Sequence, residues 1–201
     1  MTSEGVLFVG LTGGMGAGKS TALAELERLG AAVLSSDAVV HELYEGDPRL
    51  REAIVGRWGE DVVAPGGTVD RAAVAERVFA HAEDRDWLEG VLWPMVGERV
   101  GEWLREVRAR RPAPRAAVVE VPLLFEAGME GVYDVTVAVI ADERVRRERA
   151  AGRGHALQDA RAARQLSQEE KARRATFAIR NDGSERELAA QLSAVLDTLG
   201  G

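Results

Sequence analysis

Residues 13–20 read GGMGAGKS and fill every fixed position of the pattern G-x-x-x-x-G-K-[ST], which is typical of a phosphate-binding loop (P-loop). Glycines let the main chain curl so that successive N–H groups face phosphate oxygens. A helix that starts after such a loop presents its partly positive N-terminus to the same anion. The pattern predicts that Lys19 reaches the β- and γ-phosphates of a nucleotide and that the Ser20 hydroxyl is a ligand of Mg²⁺. The predicted nucleotide-binding residues are Gly13, Gly14, Met15, Gly16, Ala17, Gly18, Lys19, Ser20 and Thr21.

The residues on both sides of the loop favour this interpretation. Residues 6–10 (VLFVG) are typical of a buried strand, and residues 31–34 of a second one. Residues 20–29 place three leucines on one face of a helix. The order strand, glycine loop, helix, strand is a βαβ unit, whose strands pair in parallel. A plain glycine-rich turn is the alternative. A dinucleotide-binding loop is disfavoured because Lys19 stands where its third glycine is expected.

The rest of the chain alternates between strand and helix patterns. Further strands are predicted at residues 116–121, 135–140 and 177–180. Residues 37–111 are predicted to be mostly helical, with a turn at Gly66-Gly67 and a helix that Pro94 interrupts or restarts. Ser184 and Glu187 form a capping-box pattern before the last helix. These patterns predict an α/β fold with a five-stranded parallel sheet covered by helices on both faces.

Composition excludes several classes of protein. The chain has 201 residues, a formal net charge of -7 and no cysteine, so thiolate metal sites and disulfide frameworks are absent. The acidic balance argues against a nucleic-acid-binding surface. No apolar run approaches the roughly 18 residues of a membrane span. The N-terminal residues lack the pattern of a signal peptide, and we expect a cytoplasmic protein.

Three carboxylates are candidates for chemistry at the ends of the predicted strands. Asp37 follows the second strand, where it can activate an acceptor hydroxyl, hold a metal-bound water, or simply cap the next helix. Glu120 ends the third strand, where it can hold Mg²⁺ through water or face solvent. Glu126 is a second candidate for the metal.

Basic residues are distributed unevenly. Seven arginines crowd the predicted helical segment 142–164, and they form either a solvated face paired with Glu143 and Glu148 or a lid that closes on the nucleotide. Arg149 and Arg153 lie four residues apart, on one face of that helix. The seven are Arg144, Arg146, Arg147, Arg149, Arg153, Arg161 and Arg164. Lys19 and Lys171 are the only lysines, which suggests positions that need a compact ammonium group.

Histidines and tryptophans carry weaker signals. The three histidines, His41, His81 and His155, have no metal-ligand spacing and are expected at the surface. The four tryptophans, Trp58, Trp87, Trp93 and Trp103, are expected to pack in the core. Stacking on adenine or lining a groove for the acceptor is the alternative.

Motifs along most of the chain resemble those of dephospho-coenzyme A kinases. They are Gly10 to Thr21, Asp37-Ala38, the GTVDR segment at 67–71, Val78-Phe79, the PLLFE segment at 122–126, Arg161 with Gln165, Lys171, and Ile179-Arg180-Asn181. The P-loop is common to many kinases, whereas the PLLFE segment and the Asp-Arg pair after a glycine turn are more specific.

The resemblance implies a three-layer P-loop kinase fold with a helical acceptor-binding insertion and an arginine-rich lid. The core comprises residues 1–36, 113–141 and 167–201, the insertion residues 37–112, and the lid residues 142–166. The implied reaction transfers the γ-phosphate of ATP to the ribose 3′-hydroxyl of dephospho-CoA, with Mg²⁺, in the last step of coenzyme A synthesis. Neither a nucleic acid nor a membrane is an expected partner, and a monomer is favoured.

The same resemblance assigns roles to single residues. Lys19, Asp37 and Arg149 are the expected catalytic residues. Asn181 matches the segment near the ATP base. Arg71 and Leu123 join Asp37 in binding the acceptor, and Ser20 with Glu120 holds the metal, Glu120 through water.

Three departures from the family pattern stand out. Trp93-Pro94 replaces the usual His-Pro, Ala175-Thr176 replaces Ala-Asp, and the lid between Arg153 and Gln165 is shorter. Trp93 lies in the insertion expected to bind the acceptor. Two other functions stay open at this stage: a P-loop kinase for another nucleotide or small-molecule hydroxyl, and a non-catalytic ATP-binding module. A GTPase is disfavoured because the guanine-binding pattern Asn-Lys-x-Asp is missing.

Overall fold

The computed structural model describes residues 5–150 and 165–200. Five strands in these ranges form one parallel sheet in the order β2-β3-β1-β4-β5. Their bounds are β1 Phe8–Gly13, β2 Ala32–Ser35, β3 Ala117–Glu120, β4 Val135–Ile140 and β5 Phe177–Arg180. The predicted α/β fold with a five-stranded parallel sheet is therefore confirmed. Because β1 is the central strand, the P-loop begins in the middle of the sheet's carboxyl edge.

Eight α-helices are described in the same ranges. Their bounds are α1 Lys19–Arg28, α2 Ser36–Gly46, α3 Pro48–Trp58, α4 Arg71–Ala80, α5 Ala82–Ala109, α6 Glu143–Ala150, α7 Gln168–Arg174 and α8 Glu185–Gly200. Short 3-10 helices span Glu60–Val62 and Glu130–Val132. Along the described residues, no helix has both the length and the apolar character needed to cross a bilayer.

The chain divides into two compact units, Met1–Ser35 with Trp103–Gly201, and Ser36–Glu102. In the first unit, helices α1 and α8 cover one face of the sheet. Leu26 of α1 and Leu192 of α8 belong to one buried cluster with Val9 and Leu11 of β1.

Alternate residues of β1 face the opposite side of the sheet. There the Phe8 ring lies 4.6 Å from the ring of Tyr133. A side chain at Gly10 would place its Cβ 2.5 Å from a methyl group of Leu124. Helix α7 packs on this side through Lys171, whose Nζ contacts Thr12 of β1. Helix, sheet and helix thus form three layers.

The second unit is built from α2, α3, α4 and most of α5 around apolar side chains. Val39, Leu43, Leu50, Ile54, Val62, Val74, Leu88, Leu92 and Met95 are its principal buried residues. The predicted turn at Gly66-Gly67 lies inside an antiparallel bridge that joins Val63 to Val69.

Apart from shifts of one residue at the ends of α1, β2 and β3, four details differ from the sequence-based prediction. β1 starts two residues later and continues through Gly13, because pairing with β4 extends to that residue. Pro94 lies inside the continuous helix α5. Burial of Leu92 and Met95, on either side of the proline, stabilises the helix there. α2 begins at Ser36, so Asp37 occupies the first turn and is not the N-cap.

The fourth difference concerns the tryptophans. Trp93 is 42% exposed and does not pack in the core. Trp58 and Trp87 are half-buried and meet edge to face, with ring centroids 5.0 Å apart.

Candidate active site

The P-loop adopts a backbone that requires glycine at two positions. Gly16 has φ 74° and Gly18 has φ 90°, both in the left-handed region that L side chains rarely adopt. Space is also lacking, because a Cβ at Gly16 would lie 2.6 Å from the carbonyl oxygen of Arg146, and one at Gly18 2.1 Å from the Nδ2 of Asn181. Glycine at these two positions therefore allows the loop to turn and allows Arg146 and Asn181 to approach its backbone closely.

Helix α1 presents an uncapped N-terminus to this loop. Its N-cap is Gly18, which supplies no side-chain acceptor, and its first turn contains no acidic residue. The first bond of the helix runs from the N–H of Ala22 to the carbonyl of Gly18, at 2.9 Å. The preceding N–H groups are therefore outside the helical ladder, and N–H groups in such a position can bind an anion. Lys19 Nζ lies 3.3 Å from the Gly14 carbonyl oxygen, beside the same loop.

One cavity brings together predicted residues that are far apart in sequence. It is lined by Gly16, Gly18, Lys19, Ser20, Thr21, Arg149, Asn181, Gly183 and Glu185. The hydroxyl-bearing residues Ser20 and Thr21 are exposed in it, and Lys19 is half-buried. Gly183 and Glu185 were not anticipated from the sequence, since neither belongs to a recognisable motif.

Asn181 connects the carboxyl end of β5 to the loop. Its side chain is buried and donates a hydrogen bond of 2.8 Å to the carbonyl oxygen of Ala17. Its own carbonyl oxygen accepts a bond of 3.0 Å from the Arg149 guanidinium. The strand end, the P-loop and helix α6 are thereby joined at one residue.

Arg146 is a site residue that sequence reasoning did not distinguish from its neighbours. Its Nε donates to the carbonyl oxygen of Met15 at 2.8 Å, and the Met15 N–H donates to Gln165 Oε1 at 3.1 Å. Arg146, before residues 151–164, and Gln165, after them, therefore both contact Met15 of the P-loop. Within a run of arginines, sequence spacing alone gave no sign that Arg146 was the one in contact.

Two other arginines of α6 form a solvated face. Arg144 pairs with Glu148 at 2.8 Å, and Arg147 pairs with Glu143. The prediction that these glutamates are ion-pair partners is confirmed. Arg153, Arg161, Arg164 and His155, which the sequence placed in the lid segment, lie outside the described residues.

The strand-end carboxylates have different surroundings. Glu120 ends β3, is half-buried, and lies in register with Leu11 of β1 and Ser35 of β2. Glu126 lies further along and forms an ion pair with Lys171, with 2.9 Å between Oε1 and Nζ. That pairing argues against Glu126 as a ligand of the metal.

Leu123 belongs to the turn that follows β3. Its side chain is half-buried, and its carbonyl oxygen accepts a bond of 3.0 Å from the N–H of Ala127. The structure thus places it in a compact turn within the first unit.

Asp37 and Arg71 belong to the second unit. Asp37 is exposed in the first turn of α2. The Arg71 guanidinium contacts the Nδ1 of His41 and lies 5.5 Å from the centre of the Tyr44 ring. Burial raises the pKa of Tyr44 to about 12, and the positive charge of Arg71 opposes that rise. His41 is exposed, as predicted, and its Nε2 lies 3.0 Å from a Glu45 oxygen.

The donor set suits a magnesium ion that travels with a nucleotide. Among residues 5–150 and 165–200, no group of three His, Asp or Glu side chains could hold a metal by itself. Mg²⁺ at phosphate-transfer sites keeps several waters and takes one or two protein ligands besides phosphate oxygens. The exposed Ser20 hydroxyl and the Glu120 carboxylate fit that requirement.

A P-loop on the central strand of a three-layer parallel sheet, with arginines of a neighbouring helix against it, places the chain among the P-loop kinases. The comparisons agree. The family model described as dephospho-CoA kinase matches residues 7–187. The dephospho-CoA kinase of Anaeromyxobacter dehalogenans is 41% identical over 96% of this chain and 92% of its own length.

Two solved structures share the fold. The crystal structure of TT1252 from Thermus thermophilus is 34% identical, covers 98% of this chain and 99% of its own, and has a TM-score of 0.78. The dephospho-CoA kinase from Campylobacter jejuni, 22% identical with 96% of each chain covered, has a TM-score of 0.64. The chain belongs to the dephospho-CoA kinase family. It is therefore a phosphotransferase that uses ATP as co-substrate.

Proposed function

We propose that this protein transfers the γ-phosphoryl group of ATP to the ribose 3′-hydroxyl of dephospho-CoA, which gives coenzyme A and ADP. The observation that carries the proposal is the family match over residues 7–187, which includes the complete P-loop. The cavity lined by Lys19, Ser20 and Arg149 supports it, because phosphoryl transfer depends mainly on positioning and charge stabilisation.

The triphosphate is proposed to lie along the P-loop. The N-terminus of α1 receives its phosphate oxygens, Lys19 neutralises the β- and γ-phosphates, and Thr21 contacts the α-phosphate. Arg149 stabilises charge that develops on the transferred group, because it lines the same cavity. Asn181 lies at the side of the cavity where we place the nucleoside.

Asp37 is proposed as the general base. Its carboxylate accepts the proton of the 3′-hydroxyl while that oxygen bonds to the γ-phosphorus and the bond to the ADP oxygen breaks. Arg71 and Leu123 are proposed to contact the acceptor. The arginine at 71 is positioned by His41 and the Tyr44 ring, so its charge is held in a defined place.

Ser20 and Glu120 are the residues that would hold Mg²⁺, Glu120 through water. When bound, the ion would supply positive charge that offsets the negative charge of the triphosphate. We also propose that residues 37–112 bind the acceptor, that residues 142–166 form the lid, and that the protein acts as a cytoplasmic monomer.

The direct test is a product assay. Purified protein is mixed with Mg·ATP and dephospho-CoA, and CoA and ADP are followed by chromatography. Equimolar CoA and ADP are expected. The variant Lys19→Met is expected to lose activity by about 10²- to 10³-fold, as when one donor to transition-state charge is removed.

Acceptor controls separate this proposal from its alternatives. The same assay is run with adenosine, AMP and coenzyme A in place of dephospho-CoA. Turnover with another acceptor and none with dephospho-CoA would assign the kinase a different substrate. ATP binding without acceptor-dependent turnover would identify a non-catalytic ATP-binding module.

A further inference from the structure

Lys171 is a buried cation that the roles described so far do not use. It lies on α7, its side chain is 0% exposed, and it is one of only two lysines in the chain. Desolvation lowers the pKa of Lys171, and the nearby Glu126 carboxylate opposes that shift. A buried ammonium group is costly unless it is paired and hydrogen-bonded, so its contacts indicate what it holds in place.

The Lys171 ammonium group joins the carboxyl ends of two strands. Its Nζ lies 2.8 Å from the carbonyl oxygen of Pro122, 3.4 Å from Thr12 Oγ1, and 2.9 Å and 3.3 Å from the Oε1 and Oε2 atoms of Glu126. Three groups therefore receive the three N–H donors of the lysine. Thr12 directly precedes the P-loop, and Pro122 stands two residues after Glu120. The lysine therefore fixes the start of the loop against the end of β3.

Glu126 extends the same network to the segment before α7. Its Oε1 accepts a bond of 2.7 Å from the N–H of Leu166. The preceding residue, Gln165, accepts the N–H of Met15 in the P-loop at 3.1 Å. The Lys171–Glu126 pair thus connects the entry of the P-loop, the end of β3 and residues 165–166.

We propose that Lys171 is a positioning residue for phosphoryl transfer, acting through its ion pair with Glu126 to align the P-loop with the carboxyl end of β3. The proposal rests on the proposed function. Lys171 does not contact the nucleotide, because its side chain has no exposed surface. Its effect reaches the reaction through the geometry of Lys19, Ser20 and Glu120. Small misplacements of such groups can cost about 10²-fold in rate.

The test replaces the ion pair by neutral groups of similar shape. In the double variant Lys171→Met with Glu126→Gln, the glutamine oxygen can still accept the Leu166 N–H, and no unpaired charge is left buried. We expect kcat at saturating ATP and acceptor to fall about 10- to 100-fold. The melting temperature should stay close to that of the original protein, and the Kd for Mg·ATP should change less than threefold, roughly the spread of ordinary context effects.

A matched control removes an ion pair on the surface of the same helix. Arg173 pairs with Glu170 on α7, and the Arg173 side chain is 76% exposed. The double variant Arg173→Met with Glu170→Gln is expected to have the same kcat as the wild-type protein. Lys171→Arg is measured as well, because it keeps a positive charge beside Glu126 and changes only the geometry of the donors. A smaller fall in kcat is expected for this variant, and the decision rests on it if the double variant does not fold.

The outcomes are distinct. A lower kcat in a folded variant supports the proposal, and an unchanged kcat overturns it, whatever happens to ATP affinity. A loss that disappears when the sample is corrected for its folded fraction also overturns it, because the pair would then only stabilise the fold. Acceptor-independent ATP hydrolysis is measured in parallel. Hydrolysis depends on the same alignment of the P-loop with β3, and it can be measured even if the wild-type protein makes no CoA. Failure of the proposed function can therefore be distinguished from failure of this proposal.

Discussion

The side-chain amide of Asn181 donates a hydrogen bond of 2.8 Å to the main-chain carbonyl of Ala17, inside the P-loop. The two residues are far apart in sequence, and the bond is buried. The Asn181 amide also leaves no room for a side chain at position 18, since a Cβ there would lie 2.1 Å from its nitrogen. The loop is therefore shaped by a residue from the far edge of the sheet as well as by its own glycines.

Replacing this amide should weaken nucleotide binding. In Asn181→Ala the Ala17 carbonyl loses its buried donor, a loss that typically costs about 1–3 kcal/mol. We expect the Kd for Mg·ATP, measured by calorimetry, to rise about tenfold, which corresponds to ~1.4 kcal/mol. Gln191→Ala is the control, because that amide also donates to a carbonyl, that of Arg180 at 2.8 Å, which is not a residue of the P-loop. Equal Kd values for the two variants would contradict the expectation.

Arg149 should contribute to the rate of transfer more than to the stability of the fold. It lines the cavity beside the P-loop and is exposed, so a phosphate bound there could be reached by its guanidinium. For Arg149→Ala we expect kcat to fall about 10³-fold, the lower end of the range for arginines that stabilise phosphoryl transfer. The measurement is kcat at saturating ATP and dephospho-CoA, with thermal unfolding recorded on the same samples.

Arg147→Ala is the matched control on the same helix. Arg147 pairs with Glu143 at the surface, and exposed pairs contribute about 0–1 kcal/mol. The kcat of Arg147→Ala should equal that of the wild-type protein. If the two arginine variants lose activity equally, Arg149 has no special role and α6 acts only through its overall charge.

Local patterns were enough to predict the sheet and the P-loop. The strands at 135–140 and 177–180 occur at their predicted bounds, because short apolar runs between turn signals have few alternatives. The capping box also forms, since the Ser184 N–H donates to Glu187 Oε2 at 2.7 Å. This contact helps to keep the pKa of Glu187 below its usual value.

Contacts between distant segments could not be predicted in the same way. Arg146 stands in a run of arginines, and only the packing of α6 on Gly16 selects it for contact with the loop. The predicted break at Pro94 was wrong. The sequence shows that proline lacks an N–H donor, but it does not show that Leu92 and Met95 beside it are buried. Lys171 stood out as a rare residue type, but its ion-pair partner became visible only in the fold.

The cap of α3 should make stability depend on pH. Asp47 accepts the N–H of Arg49 at 2.9 Å, and the Arg49 guanidinium holds the pKa of Asp47 below its usual range. A carboxyl group with a lowered folded-state pKa adds stability above its unfolded pKa of about 3.9. That stability disappears as the pH falls through the folded-state value. Asp47→Ala should therefore cost about 1 kcal/mol of unfolding free energy at pH 7 and progressively less in acid.

Denaturant unfolding at a series of pH values measures this difference. Glu52→Ala is the control, because Glu52 is an exposed carboxylate on the same helix. Its substitution should change the unfolding free energy by less than about 0.5 kcal/mol at any pH. A difference between the original protein and Asp47→Ala that stays constant down to strong acid would show that the carboxylate charge is not involved.

Asp37→Asn should separate catalysis from binding. The exposed position of Asp37 in the first turn of α2 leaves its carboxylate accessible, and amide replacement keeps its shape while removing its basicity. A general base contributes about 10²- to 10⁴-fold, so we expect kcat to fall in that range while the Kd for Mg·ATP stays nearly constant. Glu42→Gln, which neutralises another exposed carboxylate of α2, should leave both values unchanged. Near-full activity of Asp37→Asn would remove the general base from the mechanism, and Asp37 would then serve only to favour the first turn of its helix.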